Sequence, residues 1–474
     1  MLRRILLAAV LAALPAVAHA QTVQSLKNQP PNGAQLTFQL TDGRVLAQSF
    51  NDQSWYVLTP DNTGSYVNGT WKQVASLEST YSPDAFASQV LADGRVLIEG
   101  GEYNFGNFAL TNLGEIYDPV ANTWTSVKPP KGWANIGDSP SAVLPNGDFL
   151  LGEKLNKKMA VLDPSTMKWT AVKAKGKADF NAEEGWTLMP DGTLTTVDVK
   201  DNPNSESYNS TAGEWSSLGS TVANLQGPPC CGCINYPPKN KCYYPPGETG
   251  PAVLTPSGTV FATGATHTGA NSGNTAIYTP GSGWVAGPSF PNGDDAGDNF
   301  ASLLPNGHVL VQGSSGSLYE WDGTKLTKES INGGGNSLMV LPSGQVLIGG
   351  SEVYTSSGTY QSSWQPTITS FPSSVNPGST YQISGTQFNG LSQANAFGDE
   401  YQTSTNYPLV RITNNGTGHV FYARTHDHST MGVATGSTTV STNFDVPSGI
   451  ETGASSLVVV ANGIPSAPVS LTVQ

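Results

Sequence analysis

The stretch Leu303-Leu304-Pro305-Asn306-Gly307-His308-Val309-Leu310 decides the fold. It sets an Asn-Gly pair between two apolar runs. Six further pairs repeat it: Asp42-Gly43, Asp93-Gly94, Asn146-Gly147, Asp191-Gly192, Ser257-Gly258 and Ser343-Gly344. In that setting they mark two-residue hairpins, because Asx and Gly tolerate the positive φ that a type I′ turn demands. Successive turns lie 51, 53, 45, 66, 49 and 37 residues apart.

One hairpin about every 50 residues, with four strands to the unit, is the periodicity of kelch-type propeller blades. Seven turns therefore predict an all-β chain built on a seven-bladed β-propeller. Its first blade begins near Ala34, with strands over 36–40, 44–50, 55–59 and 70–75. Later units repeat an apolar or aromatic residue in the third strand and a Trp in the fourth: Tyr117 and Trp124, Leu162 and Trp169, Tyr208 and Trp215, Tyr278 and Trp284. Rings that recur blade after blade are expected to wedge between neighbouring blades rather than to stack on sugars.

After Trp364 the rhythm ends. Residues 365–474 are rich in Ser, Thr and Asn, with short apolar runs such as 380–383, 410–412, 420–422, 456–460 and 469–473. They are expected to form a second domain, an Ig-like (early-set) β-sandwich. The organisation expected is thus a leader over 1–20, a propeller over 21–364 and a sandwich over 365–474.

The leader is read from Arg3-Arg4, the apolar run Ile5 to Val17 and the small-residue box Ala18-His19-Ala20. The apolar run is short for a bilayer span, no later stretch reaches that length, and the mature chain is expected to be periplasmic or secreted. Charged residues make up 12% of the chain and the formal charge is −13, falling to −15 once Arg3 and Arg4 leave. Such a surface repels phosphate backbones, which argues against nucleic-acid binding. All four cysteines, Cys230, Cys231, Cys233 and Cys242, lie in one Pro- and Tyr-rich insertion. In an exported chain they are disulfide candidates of open connectivity, and the adjacent pair suits zinc poorly. Tyr236, Tyr243 and Tyr244 beside them would line a binding wall or cover a blade edge.

If the turns share one face of the propeller, residues preceding each first strand line the opposite mouth. Counting back eight or nine positions gives Asp84, Asp138, Glu183, Glu248 and Asp298. Residues following each second strand return there: Glu102, Glu153, Asp198, His267 and Glu352. Carboxylates converging on one axis would raise one another's pKa or recruit a cation. The alternative is that each caps loop amides or forms its own salt bridge.

Seven such units followed by a small sandwich carrying Thr425-His426-Asp427-His428 resemble the galactose oxidase and glyoxal oxidase superfamily. Gly463-Ile464-Pro465-Ser466 is similar to that family's closing Gly-Val-Pro-Ser. In the family a hairpin from the last domain enters the propeller channel and delivers a copper-ligand His from a Thr-His pair, which by resemblance is His426. The family's Cys, Tyr and Tyr-His ligands are not matched: the corresponding positions here are Ala85, Asp138 and Gly297-Asp298. Copper-radical oxidation is therefore not expected. The oxygen-rich replacement, Asp138 and Asp298 with His426, suits a divalent cation, or acid–base chemistry with His426 or His267 as base. His428 would share a face with His426 on a strand and diverge from it in a turn.

The function expected is binding of a polar or carbohydrate ligand at an acidic mouth formed by Asp84, Asp138, Glu183, Glu248, Asp298, His267 and His426, with or without a divalent ion. One alternative is a hydrolase or lyase acting on polysaccharide through paired carboxylates. The other is an adhesion component of the cell envelope.

Overall fold

The computed structural model describes residues 21–50, 52–229, 232–236, 241–244, 247–265, 275–332 and 337–474. Its regular elements are strands, apart from two single-turn 3-10 helices at Pro291–Gly293 and Ser362–Trp364. None of its helices is long and apolar enough to cross a membrane.

Seven sheets have four antiparallel strands each, the sixth with one strand more. The first comprises Thr37–Gln39, Val45–Gln48, Trp55–Thr59 and Thr70–Gln73. Every one of the seven turn pairs joins the first strand of a sheet to its second; Asn306-Gly307, for example, joins Ala301–Leu303 to Val309–Gln312. First strands pack on one another between the second and third sheets and from the fourth sheet through the seventh, and those of the seventh and first sheets meet. The molecule is an all-β propeller.

Two details depart from the sequence reading. The turns are not type I′: only the glycine of each pair has positive φ, between 79° and 91°. Gly43 N–H donates to the Leu40 carbonyl at 3.1 Å and Gly307 N–H to that of Leu304 at 2.9 Å. This is the longer hairpin loop, a type I turn followed by one left-handed residue, which only the glycine has to supply. The Asx side chain contributes an acceptor instead, as where Asn306 Oδ1 takes the His308 N–H at 2.9 Å. The second departure is ring closure. Thr22–Ser25 pairs with Glu352–Thr355 as the outer strand of the seventh sheet, so both ends of the propeller sequence build that sheet.

The repeated aromatics pack as wedges. Tyr117, Leu162, Tyr208 and Tyr278 face Trp124, Trp169, Trp215 and Trp284 directly across the strand pair. Each indole N–H reaches the preceding sheet or the connection leaving it: Trp124 to the Ala75 carbonyl, Trp169 to that of Lys128, Trp215 to Met159 Sδ and Trp284 to Ser205 Oγ. The rings thus bury apolar area between sheets while their polar edges stay satisfied.

The C-terminal strands, from Thr367–Ser370 to Val469–Val473, form one nine-stranded sheet around an apolar core of its own that includes Ile383, Phe388, Val410 and Phe444. It sits on the turn face: Val420 N–H donates to Asn62, Thr425 N–H to Thr41 and Met431 N–H to Pro145. Between Thr380–Thr386 and Leu409–Asn414 the chain leaves this sheet and runs along the propeller axis. Asn395–Ala396 adds a fifth strand to the sixth sheet. Gln393 Oε1 accepts the Leu188 N–H at 2.8 Å, and Asn395 Oδ1 accepts from Ser302 Oγ at 2.8 Å and the Val340 N–H at 3.1 Å. Gln402 N–H donates to Ser88 Oγ at 3.2 Å, and the Tyr407 hydroxyl to the Gln39 carbonyl. Those partners lie on the first strands of five sheets. Polar residues 399–407 are buried because the inner strands, the axial segment itself and the C-terminal region supply hydrogen bonds that water would otherwise supply.

Candidate functional site

The axial segment ends its run at the mouth opposite the turns, with Asp399-Glu400-Tyr401. Around it stand the residues that precede the first strands. Ala85, Glu183 and Asp298 there have φ of 51°, 56° and 48°. Non-glycine residues in that region are strained by on the order of 1 kcal/mol or more, and such strain clusters at functional sites.

Asp138, Glu183 and Asp399 each place an oxygen so that all three lie within 4.8 Å of one another. All three residues are buried. Lys154, which follows the second strand of the third sheet, sends its fully buried ammonium among them. It lies 2.7 Å from Glu183 Oε1 and 3.9 Å from Glu102 Oε1, and it bonds Asp138. Glu400 lies within hydrogen-bond reach of Asp399, while Glu248 and Asp298 act on the same group electrostatically. Seven carboxyl groups from five sheets and the axial segment thus surround one ammonium. Glu102 and Glu248 are partly exposed and Asp298 is exposed, so these three form the rim of the mouth and the others its floor.

Burial pushes Asp138 well above the usual carboxylate range; Lys154 opposes that shift and Glu183 adds to it. Burial likewise pushes Asp399 up to about 7 and Glu400 well above its usual value. Crowded carboxyls cannot all ionise, so the floor holds protons or cations. Tyr103, on the short hairpin Tyr103–Asn104/Asn107–Phe108, hydrogen-bonds Glu102 and is pushed up to about 12 by burial and that neighbour. Tyr401 donates to Asp84 Oδ1 at 2.5 Å and accepts the Ala85 N–H at 2.7 Å.

The structure thus places Asp138, Glu183, Glu248 and Asp298 in one group, with Asp84 joined to it through Tyr401. Glu102 belongs to the group. Glu153 turns to Lys158 at 3.3 Å, and Glu352 lies on the closing strand pair near Ser25. Asp198 joins a separate buried network with Glu206, Lys177 and Asp179. His267, Cys230 and Cys231 fall outside the described residues. Cys233 and Cys242 are joined in a disulfide, and Tyr244 beside them is exposed.

His426 requires a correction. It does not enter the channel, and the set Asp138, Asp298 and His426 is not formed. Its strand, Val420–His426, is held in the C-terminal sheet by ladders on both edges, and Thr425 N–H bonds Thr41 beside the turn Asp42-Gly43, at the far end of the inner strands from the mouth. The imidazole pairs with Asp427 at 2.7 Å and Asp445 at 3.2 Å. His428 is buried and held near pKa 3 by that burial, with Nδ1 2.9 Å from Thr442 Oγ1. The segment that does reach the mouth is the connection upstream, and it delivers carboxyls. Sequence reasoning missed Lys154, Asp399, Glu400 and Tyr401. The available signal was that Asp399-Glu400 is the only charged pair in an otherwise uncharged stretch, 388–408.

No protein-family model and no curated protein matches the sequence. Among solved structures, the chain is similar to a fungal alcohol oxidase of the AA5 family in complex with copper, at 12% identity and a TM-score of 0.50, over 97% of this chain and 100% of that one. The likeness is one of fold. Virginiamycin B lyase from Staphylococcus aureus aligns over 70% of this chain and 98% of its own at 11% identity and a TM-score of 0.46. The extracellular domain of a putative one-component system from B. thetaiotaomicron aligns over 96% of this chain and 58% of its own at 12% identity and a TM-score of 0.48.

Copper(II) favours imidazole nitrogen in tetragonal sets. The described donors at this mouth are carboxylates, two phenols and one ammonium, so they do not suit it. Carboxylate oxygens suit a hard divalent ion, but Lys154 already occupies two of the three members of the Asp138–Glu183–Asp399 group. A divalent ion about 4 Å from that ammonium would meet a repulsion of about 8 kcal/mol at an effective dielectric of about 20, and a monovalent group about half of it.

Proposed function

We propose that this chain is an exported binding protein whose acidic propeller mouth takes a polar ligand of the carbohydrate or small-cation class, without copper-radical oxidation. The observation that carries the reading is the excess of carboxyl groups over Lys154, the one ammonium among the described residues of the group, which is open to solvent along the rim formed by Glu102, Glu248 and Asp298. Such a mouth concentrates positive charge and offers acceptors to hydroxyl groups. The disulfide Cys233–Cys242 fits an oxidising compartment, and with it the reading of 1–20 as a leader. We take 21–364 as the propeller, its seven sheets as the seven blades, and 365–474 as an Ig-like domain seated on it. The oxygen donors of Asp138, Glu183 and Asp399 favour a second reading, a divalent-cation site, in which Lys154 has to move away.

Metal analysis of the purified protein, followed by calorimetric titration with a panel of neutral and charged oligosaccharides and with Ca²⁺ and Mn²⁺, tests the proposal. A saturable ligand whose affinity falls at least ten-fold in Glu102→Gln or Glu248→Gln is the expected result. A panel in which no ligand binds, or in which binding ignores both rim substitutions, removes the mouth from the function.

A further inference from the structure

Resting on that reading, we propose that the mouth selects primary ammonium groups, as carried by amino sugars or polyamines, and that Lys154 is a built-in competitor for them. The first argument is that the site already holds an ammonium. Lys154 Nζ is cradled by Glu183 at 2.7 Å, by Asp138 and, further out, by Glu102, oxygens contributed by three different sheets. An ammonium presents three rotatable donors and no acceptor, which matches a set of converging carboxylates.

The second argument comes from acceptors that Lys154 does not reach. Asp138 Oδ1 and Asp399 Oδ1 have no hydrogen-bond partner among the described residues, in side chains of residues only 3% and 2% exposed. These two side chains and Glu183 converge within 4.8 Å. Buried acceptors without donors are costly, and an arriving ammonium brings several donors to them at once, whereas a neutral hydroxyl brings one. The positive charge of Lys154 opposes the upward shift of Glu248, Asp298 and Asp399 alike, so its ammonium acts on the whole group.

The rim favours a carbon skeleton behind the charge. Phe105, 47% exposed and held at a φ of 51°, crowns the hairpin that carries Tyr103 and lies a few residues from Glu102. Its N–H is tied to the Ser82 carbonyl at 2.9 Å, which fixes the backbone that carries this ring to the residues preceding the first strand of the second sheet. A sugar face or a methylene chain packs on such a ring, as an inorganic ion does not.

Calorimetry at pH 7 with glucosamine, putrescine and N-acetylglucosamine tests the proposal in the full chain. The two amines are expected to bind and the N-acetyl sugar to bind at least ten-fold more weakly; whichever amine binds better identifies the source of the ammonium. Lys154→Met, which removes the internal competitor, is expected to raise amine affinity about ten-fold, a gain that a purely structural lysine does not produce. Should Lys154→Met fold poorly, Glu102→Gln or Glu248→Gln on the rim is expected to weaken amine binding at least ten-fold in an otherwise intact protein. Unchanged amine affinity in a folded Lys154→Met, or equal binding of glucosamine and its N-acetyl form, overturns the proposal. Neutral sugar or Ca²⁺ bound at the mouth in place of amines overturns it while leaving the binding-protein reading standing; silence from every ligand overturns both.

Discussion

Glu183 and Glu184 are neighbours in the chain, yet they serve two different buried lysines. Glu184 holds Lys177 with both carboxylate oxygens, at 2.9 and 2.8 Å, and Glu206 adds a third contact at 2.9 Å. The Lys177 ammonium also lies 4.5 Å from the centre of the Trp215 ring. Burial alone would lower its pKa, but Glu184 and Glu206 outweigh burial and hold it above the usual lysine value. The side chains of Lys177, Glu184 and Glu206 are 0%, 0% and 3% exposed. Around Lys154 the same residue types gather in greater number, leave two acceptors unpartnered and open onto a rim. One cluster is sealed, with its ammonium fully coordinated, although Asp198 at its edge also leaves both carboxyl oxygens unpartnered. The other is open. Neither buried lysine–carboxylate chemistry nor an unsatisfied acceptor is therefore a functional signature by itself here; solvent access to such acceptors distinguishes the two.

The largest effect expected from that contrast is on stability. Lys177→Met strands Glu184 and Glu206 without a counter-charge in a sealed site, and breaking a buried pair in this way costs about 3–5 kcal/mol. Lys154→Met strands carboxyls that neighbouring water and shared protons relieve, so a loss of about 1–2 kcal/mol is expected, below the range for sealed pairs. Equilibrium denaturation of both variants compares them directly. Equal losses would mean that the mouth is as sealed as the Lys177 network and would break the comparison.

The next effect is on pH dependence. Burial pushes Asp399 up to about 7 and Asp198, in the sealed network, up to about 8. An unfolded Asp titrates near 4. Between about pH 4 and those folded values the native chain retains protons that the unfolded chain has released, so stability falls as pH rises, by at most about 1.4 kcal/mol per pH unit for each group. Denaturant midpoints measured from pH 5 to pH 8 are expected to decline, and Asp198→Asn to flatten the decline at its alkaline end. Saturating amine should flatten the part due to Asp399 and leave that of Asp198. A profile that rises with pH contradicts the assignment for both.

The sequence made the repeat legible because a hairpin turn is a local event. Each pair such as Asn306-Gly307 needs one left-handed residue and one side-chain acceptor, and both requirements are written within four residues. The mouth was legible for a related reason: once strand polarity is known, position relative to a turn fixes which end of the propeller a residue reaches, as for Asp138 and Glu183. The axial segment was not legible in this way. Residues 399–407 are polar and would pass for a surface loop, and partners far away in sequence, such as Ser88 and Gln39 on inner strands and Met431 and Asn462 in the C-terminal region, help to satisfy them. The closing strand Thr22–Ser25 stayed hidden for the same reason, since its partner lies more than 300 residues on. Lys154 was passed over because a single lysine beside Glu153 resembles any solvated pair, and its burial follows from carboxyls contributed by other sheets.

His426 sharpens the comparison from a third position, since it too is an ion-paired cluster, but one at the surface of the opposite face. Its partners Asp427 and Asp445 have side chains 62% and 37% exposed, and Asp445 also bonds Arg424 at 3.0 Å. Exposed pairs of this kind contribute about 0–1 kcal/mol, because water screens them and long side chains lose freedom in forming them. His426→Gln is therefore expected to lower stability by less than about 1 kcal/mol and to leave ligand affinity at the mouth unchanged, the smallest effect of the series. Denaturation and amine titration of that one variant measure both. Loss of binding on this substitution would mean that the imbalance at the mouth extends through the propeller to the C-terminal sheet, and that openness alone does not separate a binding cluster from a structural one.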